Sequence, residues 1–232
     1  MVERAEPVTG RTSSRDVLAQ LSMSMPESLA RRLPIDHDPV VPHPAATVVL
    51  LRDHEGAVQT YALHRHSRMA FAPGMVVFPG GRVDPVDGEP AADADLADPA
   101  LLACAIRETA EETGVRLGAE MLRPWAHWIT PEIEPRRYDT AFYLAALPAE
   151  QEARDISGET TMAEWRTPGQ LLTAADRGEI ALMPPTRSVL LELVDRTSVA
   201  HALAAAADRL IETVMPQAVH GQDGWSWTWG GR

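Results

Sequence analysis

At 232 residues the chain can bury one sizeable core with extensions, or two small ones at most. Its net charge of −12 argues against general nucleic-acid binding, which relies on Lys and Arg to neutralise phosphates. No apolar run approaches the length of a membrane span, and a single cysteine, Cys104, precludes both an intramolecular disulfide and a Cys-based metal cluster.

Residues 1–42 are punctuated by Pro and Arg, with a short amphipathic stretch from Val17 to Leu33. They read as an N-terminal extension carrying a helix, with no apolar core of signal-peptide type, and a cytoplasmic location is expected. From Ala46 to Leu51 the chain is β-branched and apolar and predicts a strand that ends in a turn at Asp53-His-Glu-Gly56. Gln59–His64 alternates around Tyr61 and Leu63, as the partner strand of a hairpin would. Met75-Val-Val-Phe78 is a further apolar run that stops at Pro79-Gly80-Gly81.

Residues 82–99 are rich in Asp, Pro, Ala and Gly and predict a loop. Asp98-Pro99 is a good N-cap followed by proline at the first helical position, and the helix runs from Ala100 to about Thr113, stopped by Gly114. Trp125–Ile129, Tyr138–Leu147 and a short piece around Trp165 predict strands. Pro168–Arg177, Leu182–Val194 and Ser198–Met215 predict helices. The tail, Gly224-Trp-Ser-Trp-Thr-Trp229, alternates tryptophans and reads as an edge strand or a partner contact. The mixture points to an α+β fold or a sheet sandwiched by helices.

The chemistry is concentrated in Arg107-Glu-Thr-Ala-Glu-Glu-Thr-Gly-Val115. At about 100° per residue, Glu111 lies about 300° and Glu112 about 400° around the helix from Glu108, so the three carboxylates project from one side. Like charges at this spacing cost about 0.2–0.5 kcal/mol per pair even in solvent, and partial burial would raise their pKa values unless something positive sits among them. A hard divalent cation with oxygen ligands answers that conflict. A solvated acidic helix face is the bland alternative, and the neighbours weigh against it: Arg107 precedes the cluster, and a strand ending in Gly-Gly lies upstream.

Gly81 together with Arg107, Glu108, Glu111, Glu112, Gly114 and Val115 resembles the signature of the Nudix hydrolase family. Thr109 stands where that signature has an apolar residue. The stretch between Gly81 and Arg107 is about twice as long as the signature allows, the surplus falling in the Asp/Ala/Pro-rich loop. Counting back from Arg107 puts the first glutamate of the signature at Pro99, so that position is assigned to no residue.

The resemblance implies an α/β/α sandwich with a central mixed sheet, spanning residues 43–195, and a helical C-terminal elaboration with the Trp-rich tail over 196–232. It further implies hydrolysis of a nucleoside diphosphate linked to another group, with Mg2+ as cofactor and Mn2+ as substitute. Glu108, Glu111, Glu112 and the Gly81 carbonyl are the implied metal ligands, and Arg107 positions the glutamates. The general base is implied to be a later loop glutamate, Glu159 ahead of its rivals Glu164 and Glu152. A homodimer is in keeping with relatives of the family.

A narrower resemblance, to a branch that includes coenzyme A diphosphatases, rests on Arg65-His-Ser-Arg68, Phe78-Pro-Gly-Gly-Arg-Val-Asp84, Trp128-Ile-Thr-Pro131, Arg136-Arg-Tyr-Asp-Thr-Ala-Phe-Tyr143 and Met183-Pro-Pro-Thr186. It implies release of 3′,5′-ADP and 4′-phosphopantetheine (acylated where the substrate is an acyl-coenzyme A). The extra 3′-phosphate calls for cationic donors, for which Arg65, Arg68, Arg82 and Arg136 are the candidates, since guanidinium groups bind phosphate oxygens bidentately. Arg137 is read instead as a structural ion pair with Asp139. The alternatives are an ADP-ribose or nucleotide-sugar diphosphatase and a non-catalytic nucleotide-binding module. His64 and His66 lack zinc-ligand spacing, Met69, Met75 and Met183 read as packing, and Cys104 as a small buried apolar residue.

Overall fold

The computed structural model describes residues 17, 30, 31, 33, 38–68, 72–92, 94–221 and 224–229. Most of the Val17–Leu33 stretch, and Met69, lie outside the described residues.

The first hairpin forms as its pattern requires: β1 (His43–His54) and β2 (Ala57–Arg65) pair antiparallel, Leu51 opposite Thr60 and His54 opposite Ala57. The turn places Glu55 and Gly56 at positive φ, where glycine is unstrained. After β3 (Met75–Val77) the chain does not simply stop at the glycines. Gly80–Arg82 forms a short strand, β4, antiparallel to the start of β1 with Gly81 opposite Ala46. The remaining strands are β5 (Arg123–Ile129), β6 (Tyr138–Ala146), β7 (Thr160–Arg166), β8 (Ala181–Leu182) and β9 (Thr213–Val214). Among the described residues these nine make one mixed sheet in the order β8-β3-β2-β1-β6-β5-β9, with β4 on β1 and β7 on β2. The central pair, β1 and β6, runs parallel.

The α-helices described in full are α1 (Pro99–Thr113), α2 (Pro168–Asp176), α3 (Pro184–Leu193) and α4 (Val199–Ala207). Alternation along β1 sorts the two faces of the sheet. Ala46, Val48 and Leu50 pack with Leu101, Cys104 and Ala105 of α1, joined by Ala141, Tyr143 and Ala145 of β6. Val49 and Leu51 face the other way, into a core with Leu171 of α2, Val189, Leu190 and Leu193 of α3 and Ala202 of α4. Each fully buried Leu or Val contributes about 1.5–3 kcal/mol by leaving water. The architecture is an α/β/α sandwich, with α1 the one α-helix among the described residues that packs on the face that matters below.

Two C-terminal expectations need correcting. The helix predicted over Ser198–Met215 ends at Ala207, and Thr213–Val214 is instead strand β9 beside β5. Arg209 explains the stop: its guanidinium turns inward to Glu192 and lies over the Trp125 ring, 4.1 Å from the centroid, so the chain leaves the helical path. The tryptophan tail forms β11 (Gly224–Thr228), but it pairs with β10 (Gln217–Gly221) in a separate two-stranded ribbon and not with the main sheet. Arg137 is structural, though not through Asp139. It donates to the carbonyls of Thr130 and Val40, while Asp139 is bonded to His127 Nε2. Among the described residues no helix is long and apolar enough to cross a membrane.

Candidate active site

Helix α1 begins with the Asp98 carboxylate accepting the N–H of Ala100, and ends with Gly114 in the left-handed region, its N–H bonded to Ala110 O. Thr109, the departure from the signature, is fully buried with its hydroxyl donating to Ala105 O, so no polar atom is stranded. The helix lies against β4, and the approach is so close that a side chain on Gly81 would collide with the Glu108 carboxylate. A side chain on Gly80 would strike the backbone of Ala46 and Thr47. Glycine is needed at position 80 for this spatial reason, whereas at position 81 a side chain would displace the Glu108 carboxylate.

The three glutamates occupy distinct environments. Glu112 is 6% exposed and its carboxylate accepts the Gly80 N–H at 2.9 Å. Burial pushes its pKa up to about 8, against the lowering effect of the Gly80 hydrogen bond and the nearby Arg65; Glu108 and Glu159 add to the rise. Glu108 is also raised, first by burial and then by Glu111 and Asp84, with Arg107 opposing. The Glu111 side chain is 59% exposed and bonded to Arg107 Nη1 at 3.0 Å.

Arg107 holds the array together. Its Nη1 donates to both Glu108 and Glu111, its Nη2 to the carbonyl of Arg82, and its Nε and Nη2 form a two-pronged bond to Asp87 at 2.9 and 2.7 Å. The Asp87 side chain is 3% exposed, and the Arg107 hydrogen bonds hold its carboxyl below the usual range. Asp87 was missed by counting back from Arg107. Counting forward from Gly81 by the signature's own spacing reaches Asp87, one methylene shorter than the expected glutamate. The surplus residues therefore lie after that position, between Asp87 and α1.

The other candidates divide. Arg65, at the end of β2, is brought to the site: it pairs with Glu159 at 3.5 Å and helps to lower the Glu112 pKa. A register shift between His64 and Arg65 re-aims the strand there, and the Arg65 Nε is buried without a hydrogen-bond partner. Glu159 sits on the loop before β7 with its side chain 49% exposed. Glu164 bonds His64 at 2.8 Å and stands opposite Ala62, on the sheet face away from α1. Glu152 pairs with Arg154 in solvent. Arg82 is exposed and pairs with Asp84, Arg68 is exposed on the loop after β2, and Arg136 is exposed on the loop between β5 and β6. Cys104 is buried, its Sγ donating to the Gly81 carbonyl, and burial pushes the thiol up to about 12, so it is inert.

Among the described residues no three His, Cys, Asp or Glu side chains already converge into a metal cage. The donors nonetheless suit a hard cation. Glu112 is a desolvated carboxylate whose direct hydrogen bond is to the Gly80 amide, the Glu108 carboxylate lies against Gly81 at the α1–β4 contact, and Glu111 shares the Arg107 guanidinium with Glu108.

A NUDIX domain matches residues 41–184, more than half of the chain. Over 68 residues the chain is 35% identical to an acyl-coenzyme A diphosphatase, NUDT19, of Xenopus laevis, covering 28% of this chain and 18% of that protein. Over 158 residues it is 29% identical to putative nudix hydrolase 7 of Caenorhabditis elegans, covering 53% of this chain and 51% of that one. It thus spans about half, or less, of the curated relatives it matches. Among solved structures, a NUDIX hydrolase from Alicyclobacillus acidocaldarius is 28% identical with a TM-score of 0.63, covering 71% of this chain and 96% of that one.

Proposed function

The chain belongs to the NUDIX family, and we propose that it is a diphosphatase that cleaves a nucleoside diphosphate linked to another group, with coenzyme A or an acyl-coenzyme A as substrate. The observation that carries the reading is the meeting of a buried carboxylate, Glu112, with the glycine strand on one side and the half-satisfied Arg65 on the other. A buried Arg Nε without a partner costs about 1–3 kcal/mol, and a phosphate oxygen would remove that cost.

Glu108, Glu111, Glu112 and the Gly81 carbonyl would hold Mg2+, or Mn2+ in its place, which would supply Lewis-acid chemistry to offset diphosphate charge and acidify water. Arg107 keeps Glu108 and Glu111 on one side of the helix, itself oriented by Asp87. Arg65 binds a phosphate oxygen and sets its orientation. Glu159, across Arg65 from Glu112, takes the proton of the attacking water. Arg82, Arg68 and Arg136 serve the outer phosphate of the substrate.

The coenzyme A assignment is supported by the partial likeness to the Xenopus laevis protein named above and by the motifs shared with that branch. The full set of helix carboxylates speaks against a non-catalytic module. A screen of coenzyme A, ADP-ribose, NADH and 8-oxo-dGTP with Mg2+ in H2(18)O, with products identified, tests it. Coenzyme A should give 3′,5′-ADP and 4′-phosphopantetheine. Equal or faster turnover of ADP-ribose would overturn the substrate and spare the reaction type.

A further inference from the structure

The loop that carries Glu159, between β6 and β7, is strapped to the last turn of α1. The N–H of Arg154 donates to Thr113 O at 3.0 Å, and the N–H of Ile156 donates to Glu112 O at 3.2 Å. These bonds satisfy carbonyls that a helix C-terminus otherwise leaves open, and they register the loop on the backbone of the buried glutamate itself. Within the strap, between Arg154 and Ile156, stands Asp155. One of its oxygens accepts the N–H and the hydroxyl of Ser157, and the other accepts the Thr160 hydroxyl. The Ser157 hydroxyl in turn accepts the Glu159 N–H at 3.1 Å, and the Glu159 carbonyl accepts the His66 N–H at 3.1 Å. The chain of bonds runs from the Glu112 backbone through Asp155 to both sides of Glu159.

We propose that Asp155 is a positioning residue for the reaction, acting through Glu159 by fixing the loop that sets this carboxylate opposite Glu112 and Arg65. The inference rests on the reading of Glu159 as the general base. The physical argument is one of reach. A base works only within hydrogen-bond distance of the proton it takes, and a displacement of about 1 Å can cost on the order of 100-fold in rate. Glu159 is an exposed residue on a loop with glycine, Gly158, immediately before it, and its ion pair with Arg65 at 3.5 Å is long. Side-chain packing does not hold it there. Backbone hydrogen bonds do, from the Glu159 N–H to the Ser157 hydroxyl, which Asp155 holds, and from the His66 N–H to the Glu159 carbonyl. Because Asp155 is itself exposed, its removal leaves both cores intact, so the rate reports on position and not on folding.

The test is a double-mutant cycle in the full chain, with initial rates on coenzyme A and on ADP-ribose at saturating Mg2+ and thermal melting as a check on folding. Glu159→Gln should lower kcat about 100-fold. Asp155→Ala should lower kcat about 10-fold with KM nearly unchanged, and Asp155→Asn, which keeps an acceptor for Ser157, should recover most of that loss. In the Glu159→Gln background, Asp155→Ala should do nothing further, because a residue that acts through another has no effect once the other is gone. An undiminished kcat for Asp155→Ala, or the same 10-fold loss in the Glu159→Gln background, overturns the proposal alone. An undiminished kcat for Glu159→Gln overturns it together with the general-base reading.

Discussion

At the scale of single residues, the site is a conflict between burial and charge. Glu112 has its pKa raised from 4.5 to about 8, so between those values the folded metal-free chain holds a proton that the unfolded chain has released. The unfolded state then binds fewer protons than the native one, and stability falls as pH rises through this window. A bound divalent cation favours the charged carboxylate and removes this slope. Thermal melting with EDTA or with Mg2+ should therefore show a stabilisation by Mg2+ that is larger at pH 8.5 than at pH 6. Glu112→Gln should abolish most of the pH dependence, and a metal effect equal at both pH values would contradict the assignment. Asp87 is the second test at this scale. Its removal leaves Arg107 with only its bonds to Glu108, Glu111 and the Arg82 carbonyl, and losing a buried two-pronged bond to a charged group costs about 2–3 kcal/mol. Asp87→Ala should lower both Tm and kcat, whereas Asp87→Glu should retain the pairing and most of the rate. Helical spacing put Glu108, Glu111 and Glu112 on one side of a helix, while Arg107 and the roles of all four came from the family resemblance. Asp87 was not legible, because it sits before a long insertion, and a spacing rule applied from only one end passes over it.

Among the elements, local signals were read most faithfully where they carry their own stop. Asp98-Pro99 and Gly114 bound α1 as expected, since a cap, a fixed φ and a left-handed glycine act within one turn. Ser198–Met215 has a good start, with the Ser198 side chain accepting the His201 N–H, but no comparable end signal. What ends that helix at Ala207 is a tertiary contact. Arg209 and Glu192 form an ion pair with both side chains only 2% exposed, and Arg209 also donates to the Trp125 carbonyl and stacks on its ring. Such a contact joins α3, the segment after α4, and β5, and no local pattern announces it. Breaking it from one side leaves a buried charge uncompensated. Glu192→Ala should cost about 3–5 kcal/mol, whereas an apolar replacement of both partners should cost less. Equal losses for Glu192→Ala and for the double variant Glu192→Leu/Arg209→Met, measured by urea unfolding, would show that the charge itself is not what matters.

For the whole molecule, the division of labour between the two faces of the sheet has a mechanical consequence. Helix α1, which carries the glutamates, packs on the Ala46, Val48 and Leu50 face, and the C-terminal ribbon of β10 and β11 reaches the body on the other, where Trp229 meets Trp128 edge-on at 5.9 Å. A lone two-stranded ribbon is marginal in water, so this one depends on that seam and on the groove it forms with Ile133 and Met215. The alternation of tryptophans was legible as a strand. Its partner was not, because a pairing within the tail and a pairing with the main sheet share the same period-two pattern. Trp229→Ala removes an aromatic pair worth about 0.5–1.5 kcal/mol beyond the area it buries. For a chain of this length that is a fall in Tm of about 1–6 °C. Amide exchange should accelerate in Gln217–Gly221 and Gly224–Thr228 and stay slow in β1 and β6. The Mg2+-dependent rate should stay within about twofold of the parent, because the sheet stands between the ribbon and the carboxylates. A large loss of rate with the fold intact would mean that the two faces are coupled through β5 and β6, and that the tail belongs to the substrate site.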